Sequence, residues 1–287
     1  MGMMGKRHVG NRFDCVVVKL GGAAITRKGE LETLDHEVLG AVVEHIRLVK
    51  EDQGGKLRLV VVHGAGSFGH FQAKEYGVQG GSLDDERTIR GFAETRVSVT
   101  KLNHAVVSAL TEAGIPAVGI SPCGFWDEEA SPKSIEILKH LLASGFVPVV
   151  HGDAIIQGDR TVILSGDRIV NYLSVEALRP RFVLFLSDVD GIFDRPPASD
   201  GAQLIREIEV EASGRFEQKV EFASGHDHDT TGGMAAKVED GVFIAKHGID
   251  VLIARAGSTA ALCALQRTFP ACLSDDKWRG TRISLKG

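Results

Sequence analysis

The chain has 287 residues, and 33 Lys+Arg against 38 Asp+Glu leave a formal charge of −5. Hydrophobic residues at 43% and charged residues at 25% are ordinary for a folded protein and exclude collagen-like, disordered and disulfide-scaffold classes. A mildly acidic chain lacks the basic field of non-specific nucleic-acid binding, so any phosphate must be held by local features.

Residues 1–13 have no apolar core of a secretory signal, and Lys6 stands where a myristoylation site wants Ser or Thr. They are expected to form a flexible tail on a cytoplasmic protein, followed by a single domain over 14–287. Strand-like apolar runs then come at Cys15–Leu20, Leu57–His63, Ile115–Ile120, Val147–His151, Phe182–Ser187 and Asp250–Arg255. They are rich in Val, Ile and Leu and nearly unbroken, as strands covered on both faces are. Helical patterns alternate with them at Asp35–Glu51, Glu86–Ala113, Ser134–Ala143, Asp167–Leu178 and Met234–His247. That alternation predicts an α/β fold, a three-layer αβα sandwich on a mainly parallel central sheet. Thr161–Leu164 and Arg282–Leu285 read as further strands, and the polar stretch Arg195–Thr231 as loops with a hairpin. No apolar stretch approaches the ~20 residues of a membrane helix. Cys15, Cys123, Cys263 and Cys272 form no CxxC pair and are expected to be free thiols in a reducing compartment.

In such sheets ligands bind outside the carboxyl ends of strands, and several of the 34 glycines cluster there. The first run ends Lys19-Leu20-Gly21-Gly22-Ala23-Ala24. Glycines there admit backbone N–H groups close to an anion, although a tight turn is the plainer use of Gly-Gly. The second run ends His63-Gly64-Ala65-Gly66-Ser67-Phe68-Gly69-His70. Its GxGxxG spacing mimics a dinucleotide fingerprint, but the acids twenty residues on, Asp84 and Asp85, lie in a polar turn rather than at a strand end. What survives is an anion cradle with two histidines able to donate to a phosphate. Asp167, in Ser165-Gly166-Asp167, either caps the following helix or orients cations. Asp188-Val189-Asp190-Gly191 follows a strand and suits a turn or a nucleotide contact. Thr231-Gly232-Gly233-Met234 opens a helix whose free N–H groups suit phosphate, with Lys237 on the first turn. His226-Asp227-His228-Asp229 is a weak metal candidate. No Walker A, GxSxG or HExxH pattern occurs.

Taken in order, these segments resemble the amino acid kinase superfamily and, within it, the isopentenyl phosphate kinases of the eukaryotic-type branch. The resemblance rests on Lys19-Leu20-Gly21-Gly22 with Thr26-Arg27-Lys28, the His63–His70 segment, Gly152-Asp153, Ser165-Gly166-Asp167, Ser187–Gly191, Thr231–Met234 with Lys237, and Gly280-Thr281-Arg282-Ile283. It spans about residues 15–285. It departs where Ala23 replaces a frequent Ser, Ala65 a frequent Gly, and Arg168 a frequent second Asp.

The resemblance implies the amino acid kinase fold, with an acceptor lobe at about 14–180 and a nucleotide lobe at about 181–287. It implies phosphoryl transfer from ATP, with Mg²⁺, to isopentenyl monophosphate, in a protein that dimerises and binds neither nucleic acid nor membrane. Lys19, Gly21, Gly22, Ala23, Gly66, Asp188, Gly233 and Lys237 are then expected on ATP. Ala65, His70 and Gly152 are expected on the acceptor. Lys28, Lys19 and Lys237 would neutralise the moving phosphoryl group, with Lys28 the transition-state stabiliser and Asp167 orienting the lysines; no dedicated metal ligand is expected. A relative acting on a carboxylate, carbamate or nucleoside monophosphate is disfavoured by His70. A non-catalytic sensor is disfavoured by the retained lysines and Asp167.

Overall fold

The computed structural model describes residues 12–127, 129–218, 220, 233–266 and 278–287. In chain order the strands are β1 Val16–Leu20, β2 Leu59–His63, β3 Ala117–Ile120, β4 Val147–His151, β5 Asp153–Gln157, β6 Arg160–Leu164, β7 Phe182–Ser187, β8 Ile192–Phe193, β9 Leu204–Ile205, β10 Glu207–Val210, β11 Asp250–Arg255 and β12 Gly280–Leu285. The helices are α1 Gly22–Ile25, α2 His36–Asp52, α3 His70–Glu75, α4 Glu86–Glu112, α5 Pro132–Ala143, α6 Gly166–Tyr172, α7 Gly233–Ala245 and α8 Thr259–Leu265. A short 3₁₀ turn occupies Gly66–Phe68, and α6 runs on as a π-helical stretch over Leu173–Leu178.

Helix starts follow from local chemistry. Asp35, Asp85, Ser131, Ser165 and Ser258 each accept a first-turn N–H and so cap α2, α4, α5, α6 and α8. Pro132 supplies the fixed φ of a first helical residue.

The main sheet has eight strands in the order β10-β12-β11-β7-β1-β2-β4-β3. All neighbours are parallel except β11 and β12. Successive strand residues point to opposite faces, and here both faces are buried. Val16, Val18 and Leu20 join Leu39, Ile46, Leu102 and Leu265 in the layer of α2, α4 and α8. Val17 joins Leu142, Ile169, Val238 and Ile244 in the layer of α5, α6 and α7. The expected αβα sandwich is therefore present, and the same parity decides which way the functional side chains face.

The expected extra strands are found with defined partners. Thr161–Leu164 lies in β6, antiparallel to β5. Arg282–Leu285 lies in β12, antiparallel to β11 and parallel to β10. The hairpin starts earlier than expected, pairing Ile192–Phe193 with Leu204–Ile205.

Candidate active site

β7, β1, β2 and β4 are consecutive and parallel, so their carboxyl ends open on one edge. From that edge rise Gly21–Ala23 after β1, Gly64–Gly66 after β2, Gly152 after β4 and Asp188 after β7.

The first two loops interlock. A Cβ added to Gly22 would stand 2.7 Å from the Gly66 Cα, and one added to Gly66 would stand 2.7 Å from the Gly22 carbonyl oxygen. Gly66 also sits at φ +52°, which L side chains rarely adopt. Thr26 fastens the pair: its hydroxyl donates to the Gly22 carbonyl at 2.7 Å and accepts from the Ser67 N–H at 3.0 Å. Among the described residues, none accepts the N–H groups of Gly22, Ala23, Ala65 or Gly66. Two backbone segments in van der Waals contact thus present open donors on one edge. Gly21 corrects the expectation: its N–H donates to the Leu186 carbonyl at 2.8 Å and extends the sheet, so it does not face a phosphate. Ala65 has ordinary right-handed backbone, φ −71° and ψ −29°, so a methyl group in place of the family's frequent glycine costs no strain.

Lys19 shares the parity of Val17 and therefore projects toward α6. There its Nζ meets Asp167 Oδ1 at 2.6 Å, with the lysine side chain only 9% exposed. Ser165, not Asp167, caps α6, which leaves Asp167 to orient the lysine. Lys28 reaches Asp188 Oδ2 at 3.5 Å. The loop carrying Lys28 is tied down by Arg27 N–H on the Thr33 carbonyl at 2.9 Å, Glu32 N–H on the Ser67 carbonyl at 3.2 Å, and Lys101 on Glu32 at 2.9 Å.

Lys237, on the first turn of α7, joins the cluster. Burial lowers its pKa, Asp188 and Asp167 oppose that, and Lys19 and Lys28 add to it. Asp188 feels burial upward, but Lys28, Lys237 and the Ser187 hydroxyl outweigh it and hold the carboxyl below its usual range. The Asp188 loop is fixed from β11, where Arg255 donates to the Asp188 carbonyl and to Asp190, each at 2.8 Å. Thr281, in the terminal motif of the resemblance, accepts the Ile192 N–H at 2.8 Å and donates to the Ile205 carbonyl at 2.6 Å, a structural role. Lys19, Lys28, Lys237, Asp167 and Asp188 thus form one electrostatic cluster, and Gly233 opens the helix that carries Lys237.

On the β2–β4 side, Gly152 faces a crowded junction. A Cβ there would meet the Gly166 nitrogen at 3.2 Å and the Ala65 nitrogen at 3.7 Å. The 3₁₀ turn folds Gly69 back against the Ala65 methyl, so the partly exposed His70 opens α3 beside the same junction. His63 does not join it. It is fully buried, and its Nδ1 is 3.0 Å from the Gly64 carbonyl oxygen. The pair of phosphate-donating histidines expected in this segment is therefore reduced to His70.

Sequence reasoning missed the buried Asn103 and His151 beneath this junction, and the partly buried Arg96 and Ser121 that hold the carboxylate of Asp153 in the Gly152-Asp153 motif. The available signal was His151, at the end of an apolar run in register with His63. His226–Asp229, Thr231 and Gly232 lie outside the described residues, as does Cys272. Cys15 and Cys123 are free thiols.

The open N–H groups and the three lysines fit a polyphosphate. Among the described residues no group of three or more His, Cys, Asp or Glu could hold a metal ion. Asp167 and Asp188 are engaged by lysines, so a magnesium ion here fits only as one carried largely by phosphate oxygens and water. No helix among the described residues is long and apolar enough to cross a membrane.

Residues 14–255 match the amino acid kinase family. The chain is 38% identical to the isopentenyl phosphate kinase of Arabidopsis thaliana, over 93% of this chain and 94% of that one. It is 34% identical to the isopentenyl phosphate kinase of Methanothermobacter thermautotrophicus, over 94% of this chain and 99% of that one. A crystal structure of an isopentenyl phosphate kinase superposes with a TM-score of 0.71 at 30% identity, covering 94% of this chain and all 100% of that one.

Proposed function

The chain belongs to the amino acid kinase family, and from that premise we infer that it phosphorylates isopentenyl phosphate with ATP, giving isopentenyl diphosphate and ADP. The observation that carries the residue roles is positional. The lysine cluster sits over β7 and β1, and the junction of Ala65, Gly152 and His70 sits one strand further along, over β2 and β4.

Donor and acceptor phosphates then meet above β1. Gly22, Ala23 and Gly66 offer N–H groups to the ATP phosphates, while Asp188, Gly233 and Lys237 line the nucleotide side. Ala65 offers its backbone N–H to the acceptor phosphate and His70 donates to it, whereas Gly152 corrects the expectation, because its N–H donates to the His63 carbonyl at 2.9 Å and its carbonyl oxygen lies 3.0 Å from His151 Nδ1. The attacking atom is an oxygen of an ionised phosphate, so no strong general base is required, and catalysis reduces to alignment and charge neutralisation. Lys19 and Lys237 flank the transferred group, with Asp167 fixing Lys19. Lys28, held on its anchored loop, stabilises the transition state. Mg²⁺ bound with ATP supplies further neutralisation of phosphate charge.

Residues 14–287 act as one domain, its acceptor lobe at about 14–180 and its nucleotide lobe at about 181–287. Cytoplasmic residence and a homodimer complete the reading, which includes no nucleic-acid or membrane partner; light scattering on the purified protein tests the dimer. The central test is an acceptor panel. Protein with Mg-ATP should release ADP on adding isopentenyl phosphate and not on adding N-acetylglutamate, carbamate or UMP. ADP release with one of those three, and none with isopentenyl phosphate, overturns the assignment.

A further inference from the structure

Two histidines that the proposed chemistry leaves unused end neighbouring parallel strands. His63 closes β2 and His151 closes β4, paired in register. Both share the parity of the residues facing α4, and both are at most 1% exposed. Their rings stack with centroids 5.5 Å apart and planes 20° from parallel.

Each ring makes the same bond. His63 Nδ1 lies 3.0 Å from the Gly64 carbonyl oxygen, and His151 Nδ1 lies 3.0 Å from the Gly152 carbonyl oxygen. A carbonyl only accepts, so each Nδ1 carries the proton. On a neutral ring Nε2 is then an acceptor, and Asn103 Nδ2 of α4 stands 3.1 Å from His63 Nε2. Burial, with the neighbouring His151, pushes the His63 pKa down to about 3, which agrees with a neutral ring. The groups facing the pair from other elements are Asp153, Arg96 and Ser121. Asp153 Oδ2 lies 3.9 Å from His151 Nδ1, while Arg96 at 3.4 Å and Ser121 at 3.0 Å hold the carboxylate itself.

We propose that Asn103, His63 and His151 are positioning residues, a buried stack that fixes the peptide plane after Gly64 and thereby aims the Ala65 N–H, with His151 and its bond to the Gly152 carbonyl bracing the stack from β4. In a planar trans peptide the C=O and the next N–H point opposite ways. Drawing the Gly64 carbonyl toward the His63 ring therefore turns the Ala65 N–H away from it, into the junction. The Gly152 N–H, donating to the His63 carbonyl at 2.9 Å, locks the two strand ends together. The stack reads no substrate; it sets the angle of the Ala65 N–H that does.

The proposal rests on the acceptor role given above to Ala65, and its test has one arm independent of that role. With ring-¹⁵N histidine in the full chain, two-bond ¹H–¹⁵N correlation should show His63 and His151 as Nδ1–H tautomers that do not titrate between about pH 5.5 and 8. An Nε2–H tautomer or a titrating His63 overturns the proposal. The second arm is kinetic. Asn103→Leu should raise KM for isopentenyl phosphate about tenfold, the effect of one lost hydrogen bond, and leave KM for ATP unchanged. Asn103→Asp cannot donate to Nε2; it should turn His63 into a titrating ring and raise the acceptor KM likewise, which covers the case where the leucine variant fails to fold. Equal changes in both KM values, or a lower Tm with neither KM moved, mean a merely structural role and overturn the proposal. Wild-type protein inactive on isopentenyl phosphate but active on another acceptor sinks the substrate assignment instead, and the KM comparison then runs on that acceptor.

Discussion

Thr26 shows how much a single hydroxyl decides at this site. It donates to the Gly22 carbonyl and accepts from the Ser67 N–H, so it sets the spacing of the two glycine loops. Thr26→Val keeps the shape but strands a buried N–H, and should cost about 1–3 kcal/mol in urea unfolding. Thr26→Ser, retaining the hydroxyl, should restore most of it. Lys28→Ala should depress kcat by the ~10²–10³-fold typical of losing one electrostatic stabiliser, with little change in folding. His70→Ala should instead raise KM for isopentenyl phosphate and spare that for ATP. If it abolished ATP binding, the division of the site would be wrong. Much of this was legible in the sequence because the lysines and glycines stand beside strand ends, where backbone opens toward ligands. The Lys19–Asp167 pair was reachable only through the resemblance, since nothing in the spacing of residues 19 and 167 brings them together. His63 was misread because its motif invited a phosphate contact. The alternation of strand side chains carried the correction, since His63 has the parity of the buried Val61.

At the level of elements, α6 and α7 are tied by Asn171 Nδ2 on Asp240 Oδ1 at 2.6 Å, one turn beyond Lys237. Burial, opposed by the Asn171 bond and aided by Asp167, pushes the Asp240 carboxyl up to about 6. The sign follows from linkage. The folded protein prefers the protonated acid, so this group's contribution to stability is full below the unfolded pKa of 3.8 and is lost as pH rises through about 6. Asp240→Asn should remove that loss. Without nucleotide, its Tm relative to wild type should climb between pH 4 and 7; a flat difference would contradict the burial assigned here. The long elements were legible to within a few residues because continuous apolar runs and caps mark them: Phe182–Ser187 is β7 as read, and Asp35 caps α2. Others were not. β5 begins one residue after His151-Gly152 with no turn signal longer than a glycine, and α8 is Thr-Ala-Ala-Leu-Cys-Ala-Leu, too brief and too uniformly apolar to show a period. α1 and α3, four and six residues long, are embedded in glycine loops, where composition argues for coil.

Across the whole molecule, one sheet carries both halves of the site, so each ligand should stabilise the same folding unit. Saturating Mg-ATP should raise Tm, by about 2.7 kcal/mol of stability at a hundred times its Kd. Isopentenyl phosphate should do so separately in wild type and not in His70→Ala. A net charge of −5 does not oppose this, because the lysines act at contact distance while the remaining charge is spread over 287 residues and screened. The order β7-β1-β2-β4 has a further consequence for how such a protein changes over generations. On the proposed reading, the nucleotide-facing groups hang from β7 and α7, and the acceptor-facing groups from the end of β2 and the turn before α3. Neighbouring strands lie about 4.8 Å apart, so the sheet holds the two proposed halves of the site at a fixed separation. If the halves divide as proposed, drift in the acceptor loops should alter what is phosphorylated without disturbing the grip on the donor, and substitutions confined to one side of β1 should change KM for the acceptor while sparing that for ATP.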